Sequence, residues 1–210
     1  RLAPLKTRRG NQLYNTVVLG RALFNGEGRR QDSRKAFPLL LEAAKLGHVH
    51  WQYLVGYAYT RGQGVKKDYG EARRWYALAA KHGHPGAVFN LALLWEKGLG
   101  GKADDRQAFR LYRQGAKLGD VEAQCNLAVA FLWGIGTPRR PEEGMWWLRL
   151  AARRGDAKAQ YNLGMSYLKG DDVRPSLSRA RLWLDRAAKA GHTRARKALA
   201  RTNVVKRTAP

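Results

Sequence analysis

The sequence predicts an all-α fold: an α-solenoid of five 36-residue helix-turn-helix repeats followed by a partial C-terminal capping helix. Three observations predict this class. A glycine recurs at a fixed interval, apolar stripes with helical spacing recur between these glycines, and helix-capping residues stand at matching positions of the repeats. The glycines that define the interval, each 36 residues after the previous one, are Gly26, Gly62, Gly98, Gly134 and Gly170.

The period divides the chain into segments. We expect a basic N-terminal extension over residues 1–14 and a capping helix with a basic tail over residues 195–210. A single helical pair buries only part of its apolar face, so the repeats must stack to form a continuous core. The five predicted repeats between these ends are 15–50, 51–86, 87–122, 123–158 and 159–194.

The first helix of each repeat, helix A, is predicted from apolar pairs at i and i+4, such as Leu127 and Phe131. The recurrent glycine ends helix A because glycine adopts the left-handed C′ conformation at low cost. A second glycine two residues later keeps the connection tight, except in the fifth repeat, where Asp172 takes its place. One helix A position is always small, so that the partner helix can approach closely, and its residues are Gly20, Gly56, Ala92, Ala128 and Gly164.

The second helix, helix B, is predicted from an apolar stripe at i, i+3, i+4, i+7 and i+8, which faces a neighbouring helix. Its candidate N-caps are Asp32, Asp68 and Asp104, while the fourth repeat places Pro141 in the first turn instead. Asp120 and Asp156 are candidate N-caps of the following helix A. The glycines that end helix B are Gly47, Gly83, Gly119, Gly155 and Gly191.

The charge balance is strongly basic. Forty Lys and Arg against 16 Asp and Glu give a net charge of +24, which points toward nucleic acid, an anionic membrane surface or an acidic protein partner. The basic residues are spread over every repeat and both ends, so the sequence does not define a basic stripe. The charge either solvates the outer helix faces or forms a surface selected for polyanions.

Other features bound the function further. No apolar run approaches the roughly 18 residues that span a membrane. The chain begins with Arg1, so a leader or an anchor could have been removed before it. The single cysteine, Cys125, has no partner for an internal disulfide and is interpreted as a packing or groove-lining residue.

One stretch carries the whole repeat pattern: "GYAYTRGQGVKKDYGEARRWYALAAKHG", residues 56–83. This pattern resembles the Sel1-like repeat family, which is related to tetratricopeptide repeats, and the resemblance covers residues 15–194. It implies a right-handed superhelix with helix A on the concave face and helix B on the convex face. It also implies a non-enzymatic adaptor or scaffold that binds proteins, in the periplasm, envelope or cytoplasm of a bacterium.

If helix A lines a concave face, one column of residues faces the groove in successive repeats with amide side chains: Asn90, Asn126 and Asn162. These amides either bind a peptide backbone or terminal carboxylate or bond the adjacent helix. The other candidate residues on this face, which either line the groove or pack between helices, are Tyr53, Phe89, Tyr161, Arg21, Tyr57, Arg61, Lys97 and Lys169.

The tryptophans divide into two groups. One group occupies a repeat column and is predicted to be core: Trp75, Trp147 and Trp183. Trp133 and Trp146 do not fit the repeat pattern and are the better candidates for exposed contacts.

Chemistry beyond binding has little support in the sequence. His82 and His84 lie close together, but zinc prefers four ligands, often with cysteine, so a metal site is not expected. The glycine-rich turns lack the strand and the G-K-[ST] of a phosphate-binding loop. We therefore expect no catalytic residues and no cofactor.

The sequence supports two functions for the protein. The first is an interaction scaffold whose concave groove binds a peptide or an acidic protein segment, with modest salt dependence. The alternative is binding of a polyanion, either nucleic acid or an anionic envelope surface, with affinity that falls steeply as salt rises.

Overall fold

The computed structural model describes residues 18–28 and 30–205, and all regular secondary structure within them is helical. Residues 18–25 form helix α1. The predicted extension, residues 1–14, and the end of the tail, residues 206–210, lie outside the described residues. The other helices are α2 (Ser33–Lys45), α3 (Val49–Arg61), α4 (Tyr69–Lys81), α5 (Pro85–Glu96), α6 (Asp105–Lys117), α7 (Val121–Trp133), α8 (Pro141–Arg153), α9 (Ala157–Lys169), α10 (Leu177–Lys189) and α11 (Thr193–Val205).

The chain divides into two compact units, Arg1–Asp104 and Asp105–Pro210. Unit 1 contains helices α1 to α5 and unit 2 contains helices α6 to α11. Within each unit, every helix from α2 onward packs against the next helix in the chain. The odd-numbered helices are helix A of successive repeats. From α3 onward they begin two residues before the predicted start of the segment, as Val49 and Val121 show.

The predicted glycine terminations are confirmed. All five recurrent glycines after helix A have positive φ, and Gly62 and Gly134 are left-handed C-caps whose amides donate to the fourth residue before them. All five glycines after helix B also have positive φ. Positive φ strains any residue with a Cβ, so the recurrent glycines of the sequence mark the positions where the backbone has positive φ.

In the second, third and fourth repeats the second glycine of the connection has an additional role, because it touches the repeat before it. A Cβ on Gly136 would lie 2.1 Å from the Asp105 carbonyl oxygen, at the start of α6. Gly64 and Gly100 face the first residues of α2 and α4 in the same way, at 2.0 and 2.4 Å. In the fifth repeat Asp172 adopts φ 56° instead and pairs with Arg139.

Four of the five predicted Asp N-caps are confirmed by hydrogen bonds from their side chains to backbone amides. Asp32 accepts from the amide of Lys35, and Asp68 accepts from the amides of Gly70 and Glu71. Asp120 and Asp156 cap α7 and α9 through the amide three residues later, at 2.7 and 2.5 Å.

The small column of helix A is confirmed as a site of close helix approach. A Cβ on Gly56 would lie 2.7 Å from the ring of Tyr76, and one on Gly164 would lie 2.8 Å from Leu184. Each pair joins helix A to helix B of one repeat. The helix propensity lost at these glycines is therefore exchanged for tighter packing.

The cores lie between the helices of each unit. In unit 1 the core includes Leu40 and Val55, both fully buried. In unit 2 it includes Leu127, Leu148 and Leu163, also fully buried. The prediction that three tryptophans belong to the core is only partly right. Their side chains pack against the cores but are half-buried, because a large indole at the edge of a helix B stripe extends beyond that stripe. These residues are Trp75, Trp147 and Trp183.

Candidate functional site

A groove opens in unit 2 between α7 and α9, with a volume of about 550 Å³. Its floor is apolar and consists of Val129, Leu132 and Met165. Polar and charged side chains surround this floor on α9 and on the two loops that follow helix A. The remaining lining residues are Trp133, Arg139, Lys158, Tyr161, Asn162, Ser166, Lys169, Asp171 and Asp172.

Three of the predicted site residues meet in this groove: Tyr161, Asn162 and Lys169. Asn162 is half-buried, and its amide makes no hydrogen bond to another described residue. Lys169 is exposed near the C-terminal end of α9. The groove therefore presents an unused amide and a cation beside an apolar floor.

The other two asparagines of the predicted column are occupied within the chain. The Asn126 oxygen accepts from Lys158 Nζ at 2.7 Å, which joins α7 to the start of α9. The Asn90 amide donates to the Tyr76 hydroxyl at 3.4 Å, which joins α5 to helix B of the repeat before it. Both bonds are of the kind expected if the amide bonds an adjacent helix.

Trp133 is the most exposed large apolar residue of the described chain, at 72% of its surface, and it lines the groove. Trp146 is 57% exposed on helix α8 and does not line the groove. Both were predicted to be exposed. Only Trp133 combines exposure with a concave neighbourhood, so it is the natural anchor for a bound side chain.

An ion pair closes one end of the groove. Arg139 Nη2 donates to Asp172 Oδ1 at 2.5 Å, and Arg139 Nε donates to the Leu132 carbonyl at 2.8 Å. Sequence reasoning missed both charged residues as groove components. The available sign was Asp172 itself, a non-glycine residue at a position where the other repeats have glycine.

Several of the predicted site residues of unit 1 contact other side chains of that unit. Arg21 pairs with Glu27 at 3.0 Å, and the Arg61 guanidinium lies 5.5 Å from the centre of the Tyr57 ring. The remaining two on α5 and its C-cap are Phe89, which is half-buried, and Lys97, which is exposed. A second cavity of about 780 Å³ in unit 1 is lined by α1, the start of α2 and the loops after α1 and α3, and none of the predicted site residues lines it.

Tyr53 instead belongs to an aromatic cluster. Its ring stacks on His84 with centroids 4.4 Å apart, and His84 Nε2 lies 3.5 Å from His50 Nδ1. His84 Nδ1 accepts from the Ala87 amide at 3.3 Å and so caps α5. Burial lowers the pKa of His50 and His84, with the charge of Arg21 adding to the effect at His50.

Cys125 has the first of its two predicted roles, as a packing residue. Its side chain is buried in the core of unit 2. Burial, followed by the nearby Asp156 carboxylate, raises the pKa of its thiol to about 12. A thiol in this environment is not a nucleophile at neutral pH.

Neither a metal-ion site nor a membrane-spanning helix is found among the described residues. Among residues 18–28 and 30–205, no group of three or more His, Cys, Asp or Glu side chains is placed to hold a metal ion. None of the described helices is both long enough and apolar enough to span a membrane.

The fold and groove define an α-solenoid repeat protein. The Sel1 repeat family model matches five times, and the chain belongs to the Sel1 repeat family. Proteins of this family generally mediate protein–protein interactions, and their scaffolds are generally non-enzymatic. The matched residues are 18–48, 52–84, 85–120, 121–156 and 157–192.

Solved structures agree with this assignment. The chain is similar to a Sel1 repeat protein from Oxalobacter formigenes, with 28% identity and a TM-score of 0.85 over 93% of this chain and 78% of the other. It is also similar to c5321, a protective antigen of uropathogenic Escherichia coli, with 27% identity and a TM-score of 0.83 over 92% of this chain and 42% of the antigen. No curated protein matches the chain at a significant level.

Proposed function

We propose that this chain is a non-enzymatic interaction scaffold and that the unit 2 groove binds a peptide or acidic segment of another protein. The observation that carries the proposal is the groove between α7 and α9, where an exposed indole, an unused amide and an apolar floor face one space. An apolar cleft with a few convergent polar groups is the usual form of a binding site.

Each part of the groove fits a role in peptide binding. Val129, Leu132 and Met165 offer an apolar surface for one side chain of the ligand. Asn162 can donate to a peptide carbonyl and accept from a peptide amide, because an amide side chain carries both functions. Lys169 adds an exposed positive charge that favours an acidic segment.

Polyanion binding is the second candidate, and the net charge of +24 favours it. Such binding would depend on many dispersed Lys and Arg side chains, and each neutralised phosphate would steepen its salt dependence. A groove variant would then have little effect. The two candidates therefore differ in which residues matter and in how affinity responds to salt.

The test begins with selection of a displayed random peptide library on the wild-type protein at about 0.15 M NaCl. Selected peptides are synthesised with fluorescein, and their affinities are measured by anisotropy for wild type, Trp133→Ala and the matched control Trp146→Ala. A single-stranded DNA oligonucleotide serves as the polyanion probe.

We expect Trp133→Ala to weaken the selected peptides about 30-fold, since a central aromatic anchor contributes about 2 kcal/mol. Trp146→Ala should leave their affinity unchanged. If the two variants behave alike, or if only the DNA binds and releases steeply with salt, the groove is not the interaction site and polyanion binding becomes the better account.

A further inference from the structure

We infer that the groove continues onto helix α11, where Arg194, Lys197 and Arg201 form a basic stripe that takes the acidic part of a bound peptide. This inference rests on the proposed function of the groove and names the chemistry of its ligand: an apolar side chain at the α7 end and carboxylates at the α11 end.

The first observation is the composition of the stripe. Its three side chains are exposed, and their spacing of i, i+3 and i+7 places them on one flank of the helix. Helix α11, Thr193–Val205, contains no acidic residue. None of the ion pairs among the described residues involves a member of the stripe.

The second observation is the repeat register, which places the stripe on the groove side. Helix α11 is the helix A that follows α9, so Lys197 corresponds to Tyr161 and Arg201 corresponds to Met165, each 36 residues on. Tyr161 and Met165 both line the groove. The basic stripe therefore occupies the flank of α11 that corresponds to the groove-lining flank of α9.

Side-chain contacts join α9 to α11 directly. Tyr161 and Met165 pack against the core cluster that contains Ala195 of α11. The His192 ring, at the N-terminus of α11, stacks on Tyr161 with centroids 4.5 Å apart. A ligand that leaves the groove past Tyr161 thus meets α11 next.

The third observation is that charge is distributed unevenly between the two ends. At the α7 end, Arg139 is neutralised by Asp172, and Asp171 adds a further carboxylate. At the α11 end, no carboxylate among the described residues forms an ion pair with the stripe. Lys158 and Lys169 also line the groove, but carboxylates accompany them there, so a carboxylate of the ligand is attracted more strongly at the second end.

The distance between neighbouring helices sets the spacing between the apolar residue and the acidic residues of the bound peptide. Neighbouring packed helices lie about 8 to 10 Å apart, and an extended peptide advances about 3.3 Å per residue. One helix step is thus about three residues. We expect acidic residues about three to six positions from the apolar residue that contacts Trp133.

The test uses two fluorescein-labelled peptides. One carries Leu-Trp at one end and alternating Asp and Glu at the other, and the second replaces these acids with Asn and Gln. Both are made in both chain directions. Their anisotropy is followed with three proteins: wild type, Trp133→Ala and the stripe variant. The stripe variant combines Arg194→Gln, Lys197→Gln and Arg201→Gln in one protein.

Helix α6 offers a control variant with the same change in net charge. Arg106, Arg110 and Arg113 are exposed on this helix B of the same unit, and all three are replaced by Gln. Glutamine preserves helix propensity in both variants, so circular dichroism should show intact folding.

We expect wild type and the α6 control to bind the acidic peptide about tenfold more tightly than its neutral counterpart, and the stripe variant to lose this preference. Loss of the preference in both variants, or in neither, would overturn the inference. If Trp133→Ala still weakens both peptides in that case, the groove function survives. If no peptide binds the wild type, both proposals fail together.

Discussion

Gly136→Ala tests the packing of the second glycine against the repeat before it. The new Cβ would lie 2.1 Å from the Asp105 carbonyl oxygen and 2.9 Å from the Arg106 amide nitrogen. Since a carbon–oxygen contact needs about 3.3 Å, the backbone must move by about 1 Å. Gly136 also has φ 67°, where an L residue is strained.

The matched control is Gly155→Ala. Gly155 has φ 95°, but a Cβ added there has no neighbour within 4 Å. The control therefore incurs only the left-handed strain, about 1 to 2 kcal/mol. Gly136→Ala adds an overpacking cost of about 1 to 3 kcal/mol, so its total should be about 2 to 5 kcal/mol.

Both variants are unfolded in urea, and the transition is followed by far-ultraviolet circular dichroism. Gly136→Ala should unfold at a clearly lower urea concentration than Gly155→Ala. Equal midpoints would show that backbone conformation alone explains the second glycine and that the close approach to Asp105 has no energetic importance.

Three further outcomes follow from the described side chains. Unit 1 should lose stability as pH falls from about 6.5, the pKa of a free histidine, toward the lowered pKa values of folded His50 and His84, because the unfolded chain then binds more protons. His84→Asn, which retains a capping acceptor, should reduce this dependence in urea titrations at several pH values, and an unchanged slope would contradict it. Cys125 should react with a thiol reagent only on unfolding, and fast labelling of the native protein would show that it is accessible. Leu127→Ala should cost about 2 to 5 kcal/mol in urea unfolding, and a cost below 1 kcal/mol would mean that the site is not a packed core.

The sequence was sufficient for the repeat architecture because its main determinants are local. A positive φ requires glycine, and a helix N-terminus favours Asp, so Gly62, Gly134 and Asp120 mark helix ends without knowledge of the tertiary structure. The exposure of Trp133 also followed from its position relative to the repeat pattern, and packing was one of the two roles predicted for Cys125.

The location of the groove could not be predicted because it depends on differences between repeats that share one pattern. Asn90, Asn126 and Asn162 occupy one column, yet their environments differ through Tyr76 and Lys158, which come from other helices. Such partners are set by tertiary contacts and are not encoded in the column itself.

Contacts that recur at three times the repeat length were also missed. Tyr53 stacks on His84, and Tyr161 stacks on His192, 108 residues further on. In both cases the histidine also caps the next helix A, where other repeats use Asp120 or Asp156. The histidine cap is found opposite a tyrosine, whose ring gives it a stacking surface.

The central claim, that the unit 2 groove is the binding surface, is tested most directly by methionine methyl NMR. The chain has two methionines, and only Met165 lines the groove, whereas Met145 is buried in the core of the same unit. Protein labelled at the methionine methyl carbons should therefore give two resonances, one reporting on the groove and one serving as an internal control.

On addition of the unlabelled acidic peptide, the Met165 resonance should shift in proportion to the bound fraction while the Met145 resonance stays in place. The same titration with Trp133→Ala should need a higher peptide concentration. A peptide that binds by anisotropy yet leaves Met165 unshifted would contradict the account, because the binding surface would then lie elsewhere on the protein.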